Sequence, residues 1–228
     1  MGGVTPEAMR VSTGIQGLDH ILLGGLIPQR TYSVYGEPGA GKTTLGLHFL
    51  SAGASIGEKA LMITFDQPED HVRADAASIG LDIDSVKIVD LTPPPEIFSE
   101  NQTYDIFSPA EVEREPLTSE ISKAIRDATP ARVFVDSFAQ FRALAADAFH
   151  YRRLAQSFFQ FVTRQRATLI VACDDCDCAR DVDGVIQLES AHQGRTIRVL
   201  KFRGSDFQPG HHPMRLTGSG LQLPLTAA

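Results

Sequence analysis

A phosphate-binding loop occupies residues 36–43, which read Gly-Glu-Pro-Gly-Ala-Gly-Lys-Thr and match the pattern G-x-x-x-x-G-K-T. Its glycines keep side chains away from a polyphosphate, so that backbone N–H groups can surround it. The β-branched and aromatic run at 31–35 predicts a strand before the loop, and the apolar spacing within 42–50 predicts a helix after it. The loop therefore ends at a helix N-terminus, where partial positive charge favours phosphate.

This loop predicts a site for ATP and Mg²⁺. Lys42 is expected to bring positive charge to the β- and γ-phosphates and so to take part in catalysis, and the Thr43 hydroxyl is expected to coordinate Mg²⁺. The loop residues expected to contact the nucleotide are Gly36, Glu37, Pro38, Gly39, Ala40, Gly41, Lys42, Thr43 and Thr44.

Strand and helix signals alternate along the chain. Strands are predicted at 31–35, 60–65, 86–90, 132–137 and 169–173, and helices at 42–50, 68–80, 117–128 and 147–166. The proline-rich stretch 93–116 predicts a long loop, and beyond residue 183 short strands follow one another directly. We therefore predict an α/β fold with a mostly parallel central sheet, helices on both faces and a C-terminal antiparallel extension. Residues 1–228 are expected to form a single domain, with 1–10 flexible.

Two strand ends carry side chains suited to nucleotide hydrolysis. Asp136 ends an apolar run and is expected to complete the Mg²⁺ site at the carboxyl edge of the sheet, the alternative being a cap for the next turn. Asp66 and Gln67 follow the strand predicted at 60–65 and are the candidate catalytic pair. Asp66 can act as a general base, whereas Gln67 can orient water but cannot accept a proton. The alternative for both is a turn before Pro68.

The cysteines lie close together, at Cys173, Cys176 and Cys178. They cannot build a disulfide framework, and no second Cys/His pair with the spacing of a zinc site accompanies them. A metal or redox role and an ordinary place at a strand end both fit this pattern.

Composition argues against a membrane or nucleic-acid partner. The formal net charge is −7, whereas binding a polyanion requires several basic side chains together. The apolar runs are too short to span a bilayer, and the N-terminal residues lack the basic and apolar parts of a secretory signal. We therefore expect a cytoplasmic protein that binds nucleic acid weakly.

Further motifs lie outside the phosphate loop. Residues 12–19 read Ser-Thr-Gly-Ile-Gln-Gly-Leu-Asp and are followed by Gly-Gly-Leu-Ile-Pro at 24–28, while 201–205 read Lys-Phe-Arg-Gly-Ser. These segments resemble S-T-G-I-x-G-L-D…G-G-L-P and K-x-R-G-[ST] of the KaiC-like ATPases in the RecA superfamily. Asp136-Ser137 resembles the Walker B dipeptide of that family. The resemblance covers about residues 10–225 and implies a RecA-like P-loop fold.

The resemblance also implies an assembly. KaiC-like proteins form rings, commonly hexamers, with ATP between neighbouring subunits. Lys201 and Arg203 would then bind the nucleotide of the adjacent protomer, where cations stabilise charge on the γ-phosphoryl group. A regulatory role through a protein partner follows from the same likeness, without identifying that partner.

Two departures from the family pattern bear on activity. Where KaiC-like proteins have paired glutamates, this chain has Asp66 and Gln67, so that hydrolysis is expected to be weak. Between Cys173 and Glu189 the chain has neither serine nor threonine, so autophosphorylation of the clock-protein type is not expected.

Two other functions compete with that of a regulatory ATPase. The first is a RecA- or RadA-type recombination ATPase that binds single-stranded DNA, against which the five aspartates of 174–183 argue because they repel phosphate. The second is a subunit that binds ATP without hydrolysing it, which the neutral Gln67 favours.

Overall fold

The helices and strands alternate over most of the chain. The computed structural model describes residues 10–93, 109–175, 179–191 and 194–224, and of residues 109–115 and 191 it describes the backbone only. In chain order the elements are α1 (Gln16–Ile21), β1 (Thr31–Tyr35), α2 (Lys42–Ala54), β2 (Ala60–Thr64), α3 (Glu69–Ser78), β3 (Lys87–Asp90), α4 (Pro109–Ala128), β4 (Arg132–Asp136), a 3₁₀ helix (Phe138–Arg142), α5 (Ala148–Arg164), β5 (Thr168–Cys173), β6 (Gly184–Ala191), β7 (Gly194–Phe202), β8 (His212–Thr217) and β9 (Gly220–Gln222).

The strands form one sheet of nine in the order β3-β2-β4-β5-β1-β6-β7-β8-β9. Strands β3 to β6 in this order are parallel, and the pairs β6–β7, β7–β8 and β8–β9 are antiparallel. The predicted mixed α/β fold with a C-terminal antiparallel extension is confirmed. Because the parallel strands all end at one edge, the loops after β1, β2, β4 and β5 converge there.

Side chains of the central strands alternate between two apolar layers. In β4, Phe134 packs with the layer under α2, while Val133 and Val135 pack with the layer under α4 and α5. Strand β5 divides in the same way, because successive residues of a strand point to opposite faces. Helices therefore cover both faces of the parallel strands, as such strands require.

Helix α2 lies unusually close to the sheet. A Cβ atom at Gly46 would overlap the ring of Phe134, so only glycine permits this approach. The close packing fixes the first turn of α2, and with it Lys42 and Thr43, against the end of β4.

The long loop predicted for 93–116 is partly wrong. Helix α4 begins at Pro109 and runs through Pro116 to Ala128. Proline is well tolerated at the first helical position, and the Glu- and Ala-containing sequence that follows favours a helix. The helix-favouring residues around Pro116 therefore outweigh the tendency of that single proline to interrupt a helix. Residues 94–108, and the N-terminal segment 1–9 expected to be flexible, lie outside the described residues.

No helix in the described part of the chain is both long enough and apolar enough to cross a membrane.

Candidate functional site

The phosphate loop connects β1 to α2 at the carboxyl edge of the sheet. Gly41 directly precedes α2 and has a φ of 108°, a left-handed conformation that favours glycine. Gly36 lies so close to the Leu188 carbonyl of β6 that a Cβ atom there would overlap it. A short turn inside the loop is closed by a 3.0 Å hydrogen bond from Ala40 N–H to the Glu37 carbonyl. The glycines thus allow the path that leads the loop to the helix N-terminus.

Lys42 directs its ammonium group back over the loop. Its Nζ atom donates to the Gly36 carbonyl at 2.6 Å and forms an ion pair with Oδ1 of Asp174 at 3.0 Å. The lysine side chain is only 10% exposed, so it is fixed in place beside the loop. An anion held by the loop would meet this charge directly.

Thr43 and Asp136 contact each other across the cleft. The Thr43 hydroxyl donates a 2.6 Å hydrogen bond to Oδ2 of Asp136. Burial raises the pKa of Asp136, the hydrogen bond from Thr43 and the charge of Lys42 act in the opposite direction, and the charges of Asp66 and Asp174 raise it further. A hydroxyl and a carboxylate together provide the hard oxygen ligands that Mg²⁺ prefers, so the two residues fit the predicted metal site.

Asp66 and Gln67 follow β2 at the same edge and are both held by hydrogen bonds. Gln140 of the 3₁₀ helix donates from Nε2 to Oδ1 of Asp66 at 3.0 Å. Gln67 donates from Nε2 to Oδ2 of Asp75 at 3.2 Å. Asp66 is exposed, and its charge reaches Asp136 strongly enough to raise the pKa of that residue. Asp66 thus places a carboxylate at the same edge of the sheet as the phosphate loop, where the amide of Gln140 holds it by a hydrogen bond.

One cleft of about 530 Å³ brings these groups together. It is lined by most of the residues predicted to bind the nucleotide and by several that the sequence did not indicate. The predicted residues in its lining are Pro38, Gly39, Gly41, Lys42, Thr43, Thr44, Asp66, Gln67 and Asp136. Of the other predicted loop residues, Ala40 is buried, and Gly36 and Glu37 contribute the carbonyl groups that face Lys42.

The additional lining residues come from elements far apart in sequence. Asp174 follows β5, Leu216 belongs to β8, and Ser78 and Ile79 lie at the end of α3. The order of strands in the sheet, which no local pattern reveals, brings them to the loop. The sequence pattern partly indicates Asp174 as a site residue, because it directly follows a strongly apolar run, as Asp136 does.

Lys201 and Arg203 lie away from the phosphate loop of their own chain. Lys201 pairs in register with Val185, which in turn pairs with Ser33 in the middle of β1, whereas the loop begins after Tyr35 at the end of that strand. The Lys201 ammonium donates to the carbonyls of Ala179, Arg180 and Val182 at 2.8, 3.3 and 2.6 Å. Burial and then the charge of Arg203 lower the pKa of Lys201, against the opposing effect of Asp183 and Asp181.

Arg203 differs from Lys201 in its exposure. Its backbone N–H donates to the Asp183 carbonyl at 2.8 Å, and its side chain projects from the surface. Neither Lys201 nor Arg203 is among the residues that line the cleft with Lys42, Thr43 and Asp136.

The segment at residues 12–19, before the phosphate loop, has a structural role. Asp19 accepts hydrogen bonds from the hydroxyl groups of Ser12 and Thr13 at 2.6 and 2.7 Å, and from the Thr13 N–H at 2.8 Å. In the 201–205 motif, the Ser205 hydroxyl accepts a 2.7 Å hydrogen bond from Arg10. The Arg10–Ser205 hydrogen bond connects the N-terminal part of the described chain to the 201–205 motif.

The cysteine cluster can be described only in part. Cys173 is buried at the end of β5, and Cys176 and Cys178 lie outside the described residues. Among the residues that the structure places, no group of three or more His, Cys, Asp or Glu side chains is arranged to hold a metal ion.

Comparison with known proteins gives a consistent result. The family described as "ATPase: KaiC" matches residues 11–224. The chain is 27% identical to the circadian clock oscillator protein KaiC of Parasynechococcus marenigrum, over 99% of this chain and 47% of that protein. It is 29% identical to KaiC of a Picosynechococcus strain, over 99% and 46%. Identity to the circadian clock protein KaiC2 of Synechocystis is 25%, over 96% and 41%.

The chain spans less than half the length of these curated relatives, and its match extends over nearly all of its own sequence. A family match of this extent, with the phosphate loop and Asp136 in one cleft, establishes the relationship. The chain belongs to the KaiC family of ATPases.

Proposed function

We propose that this chain binds ATP with Mg²⁺ and hydrolyses it slowly. The observation that carries the proposal is the arrangement of Lys42, Thr43 and Asp136 in one cleft at the end of a phosphate loop. When bound, Mg²⁺ would supply positive charge to the phosphate oxygens during hydrolysis. Lys42 would bind the phosphates, and Thr43 with Asp136 would hold the metal.

Slow turnover is supported by the groups beside the site. Asp66 is the proposed general base, and one of its oxygens already accepts a hydrogen bond from the amide of Gln140. Gln67 is neutral, and its amide is engaged by Asp75. The site therefore has one carboxylate for proton transfer where the family has two, which supports weak hydrolysis rather than none.

Assembly into a ring, commonly hexameric, with ATP between neighbours is the second part of the proposal. It is supported by the location of Lys201 and Arg203 outside the nucleotide cleft of their own chain, with Arg203 beside Asp183 at the start of β6. A nucleotide bound at the loop of one copy would lack cations from this motif unless a neighbour provided them. The exposed Arg203 would make that contact, while Lys201 orders residues 179–182 of its own chain.

The output that we propose is regulatory and acts through a protein partner, with the chain located in the cytoplasm as a single nucleotide-binding domain. Single-stranded DNA is the less suitable partner, because the net charge is −7 and two exposed acidic residues, Asp174 and Asp175, directly follow β5. The nucleotide-dependent surface of a ring offers the partner a binding site that changes with ATP.

The test is calorimetric titration with Mg²⁺ and ATP, together with phosphate release. Lys42→Ala should lose measurable ATP binding or weaken it by about 100-fold, the scale expected for a buried charge-assisted contact. Lys87→Ala, which removes an exposed lysine of β3, is the matched control and should bind like the wild type. Unchanged ATP affinity in Lys42→Ala would refute the site. Binding without any phosphate release would favour the subunit that does not hydrolyse ATP.

A further inference from the structure

The carboxylate of Asp174 forms an ion pair with Lys42, the residue whose positive charge is expected to bind phosphate. The Nζ atom of Lys42 lies 3.0 Å from Oδ1 of Asp174, 2.6 Å from the Gly36 carbonyl and 3.4 Å from the Glu37 carbonyl. An ammonium group has three N–H donors, so every one of them has a partner within the chain. A phosphate that binds Lys42 must therefore replace at least one of these contacts.

The sheet places Asp174 beside the loop. Strand β5 pairs in parallel with β1, and Cys173 is in register with Tyr35, so that Asp174 and Gly36 both follow directly from paired residues. The Asp174 side chain is 60% exposed and lines the same cleft as Thr43 and Asp136. Its carboxylate thus faces the space into which a nucleotide would enter.

The distances limit how far a bound phosphate can lie from Asp174. A phosphate oxygen in contact with Lys42 would lie roughly 2.8 Å from Nζ. With Asp174 in its observed position, that oxygen and Oδ1 of Asp174 cannot be more than about 6 Å apart, since both lie within about 3 Å of the same ammonium group. Two negative charges at such a distance near a protein surface repel each other appreciably.

The repulsion depends on how many phosphates are bound. In a phosphate-loop site Lys42 would contact the β- and γ-phosphates, and a triphosphate brings one more charged phosphoryl group than a diphosphate into the cleft that Asp66, Asp136 and Asp174 line. A metal held by Thr43 and Asp136 would offset the charge on their side of the cleft, whereas Asp174 contacts Lys42 instead. Asp174 therefore competes with any phosphate for the lysine, and it repels a triphosphate more than a diphosphate because the additional phosphoryl group adds negative charge to the same cleft.

We propose that Asp174 is a specificity-determining residue that disfavours ATP relative to ADP, so that the occupied site tends toward the diphosphate state. The inference rests on the proposed nucleotide site and specifies how that site selects between nucleotides. Because the same lysine is shared, the selection operates within one chain and requires no assembly.

The experiment compares two ligands and three proteins. Calorimetry would give the Kd for Mg²⁺–ADP and for Mg²⁺–adenosine (β,γ-imido)triphosphate, which resists hydrolysis, in the wild type, Asp174→Asn and Asp175→Asn. In Asp174→Asn, triphosphate binding should become about tenfold tighter and ADP binding should change by less than about threefold, the scale of one charge repulsion near a surface. Asp175→Asn removes the same charge one residue away and should leave the ratio of the two Kd values unchanged.

The dependence of the Kd ratio on ionic strength distinguishes charge repulsion from a purely structural effect of the substitution. The tenfold change in ratio should shrink as ionic strength rises from about 0.05 to 0.5 M, because exposed charges are screened. Asp174→Ala, with its melting temperature measured alongside, checks that the result does not depend on the introduced amide.

Three outcomes overturn the inference. An unchanged ratio in both Asp174 variants would show that Asp174 does not select, and so would an equal gain for both ligands. A ratio that changes equally in Asp175→Asn would assign the effect to net charge alone. Absence of binding of either nucleotide to the wild type is a separate result, which refutes the proposed function and this inference with it.

Discussion

The Thr43 hydroxyl donates a 2.6 Å hydrogen bond to Oδ2 of Asp136, and this contact joins the first turn of α2 to the end of β4. Asp136 is 9% exposed, and its burial raises its pKa above the usual 3.8. A group whose pKa is higher in the folded state lowers the free energy of unfolding once the pH exceeds its unfolded pKa. The same carboxylate is therefore costly for the fold and suited to a cation.

Asp136→Asn should separate these two effects. At pH 7 the variant should have a higher melting temperature than the wild type, because the neutral amide avoids burying a charge. Its Mg²⁺-dependent phosphate release should fall by about 100-fold, because the metal loses its carboxylate ligand. Differential scanning calorimetry and a phosphate assay measure the two quantities. A matched substitution, Asp66→Asn, removes an exposed charge and should not raise the melting temperature. A lower melting temperature in Asp136→Asn would contradict the argument.

A buried histidine connects α2 to the last strand. His48 is 8% exposed, and its Nε2 atom accepts a 2.9 Å hydrogen bond from the Leu221 N–H of β9. Burial lowers the pKa of His48 below 6.5, and its hydrogen bond to the backbone of Gly14 opposes this effect. A Cβ atom at Gly220 would overlap the imidazole ring, so the hairpin β8–β9 lies directly on it.

Stability should therefore depend on pH through His48. Because the pKa is lower in the folded state than in the unfolded state, the stabilising contribution is complete above pH 6.5 and is lost as the pH falls through the folded-state value. Urea unfolding between pH 7.5 and 5 should show a declining free energy of unfolding. His48→Gln should be less stable at pH 7.5 by about 1–3 kcal/mol and should show a smaller decline. His71→Gln, at an exposed position of α3, is the control. An unchanged pH dependence in His48→Gln would place the titrating group elsewhere.

Much of the site could be predicted because its chemistry is local. The phosphate loop is continuous in sequence, and Asp66 and Asp136 each follow an apolar run that ends at the carboxyl edge of a parallel sheet. The fold class followed from the same alternation of strands and helices. These features need only the periodicity of side chains and the convergence of parallel strand ends.

The rest depended on contacts between distant residues. Asp174 contacts Lys42 only because β5 lies beside β1. The hydrogen bond between Gln140 and Asp66 requires the 3₁₀ helix after β4 to lie close to the end of β2. The contacts of Lys201 could not be predicted either, because the carbonyl groups that it binds belong to a loop about twenty residues earlier in the chain. Local sequence patterns carry no information about such pairs, and for α4 the proline content pointed to the wrong structure.

Hydrolysis should depend on Asp66 more than on Gln67. Asp66→Asn should keep ATP affinity and lose on the order of 10²-fold or more of the rate, the usual scale for loss of a general base. Gln67→Glu introduces a second acid at the end of β2 and should raise the rate. Steady-state phosphate release at saturating ATP measures both changes. Asp70→Asn removes a nearby exposed charge and is the control. Equal rates in the wild type and Asp66→Asn would show that another residue accepts the proton.

The last prediction concerns the two cations of the 201–205 motif. Because Arg203 is exposed and lies outside the nucleotide cleft of its own chain, Arg203→Ala should bind ATP in its own cleft but should lose ATP-dependent assembly and most hydrolysis. Lys201→Met should be less stable than the wild type, because the carbonyls of Ala179 and Val182 lose their shared donor. Native mass spectrometry, phosphate release and thermal unfolding distinguish the two variants.

Mixing variants decides whether Arg203 acts on a neighbour. Lys42→Ala lacks the phosphate contact of its own loop but retains Arg203, whereas Arg203→Ala retains the loop and lacks the arginine. If ATP lies between subunits, a mixed assembly contains some interfaces with an intact loop on one side and Arg203 on the other, and activity should partly return. Two defects within the same site of one chain cannot compensate in this way. Co-assembly verified by mass, with no recovery of phosphate release at any mixing ratio, would exclude the shared site and leave Arg203 a surface residue.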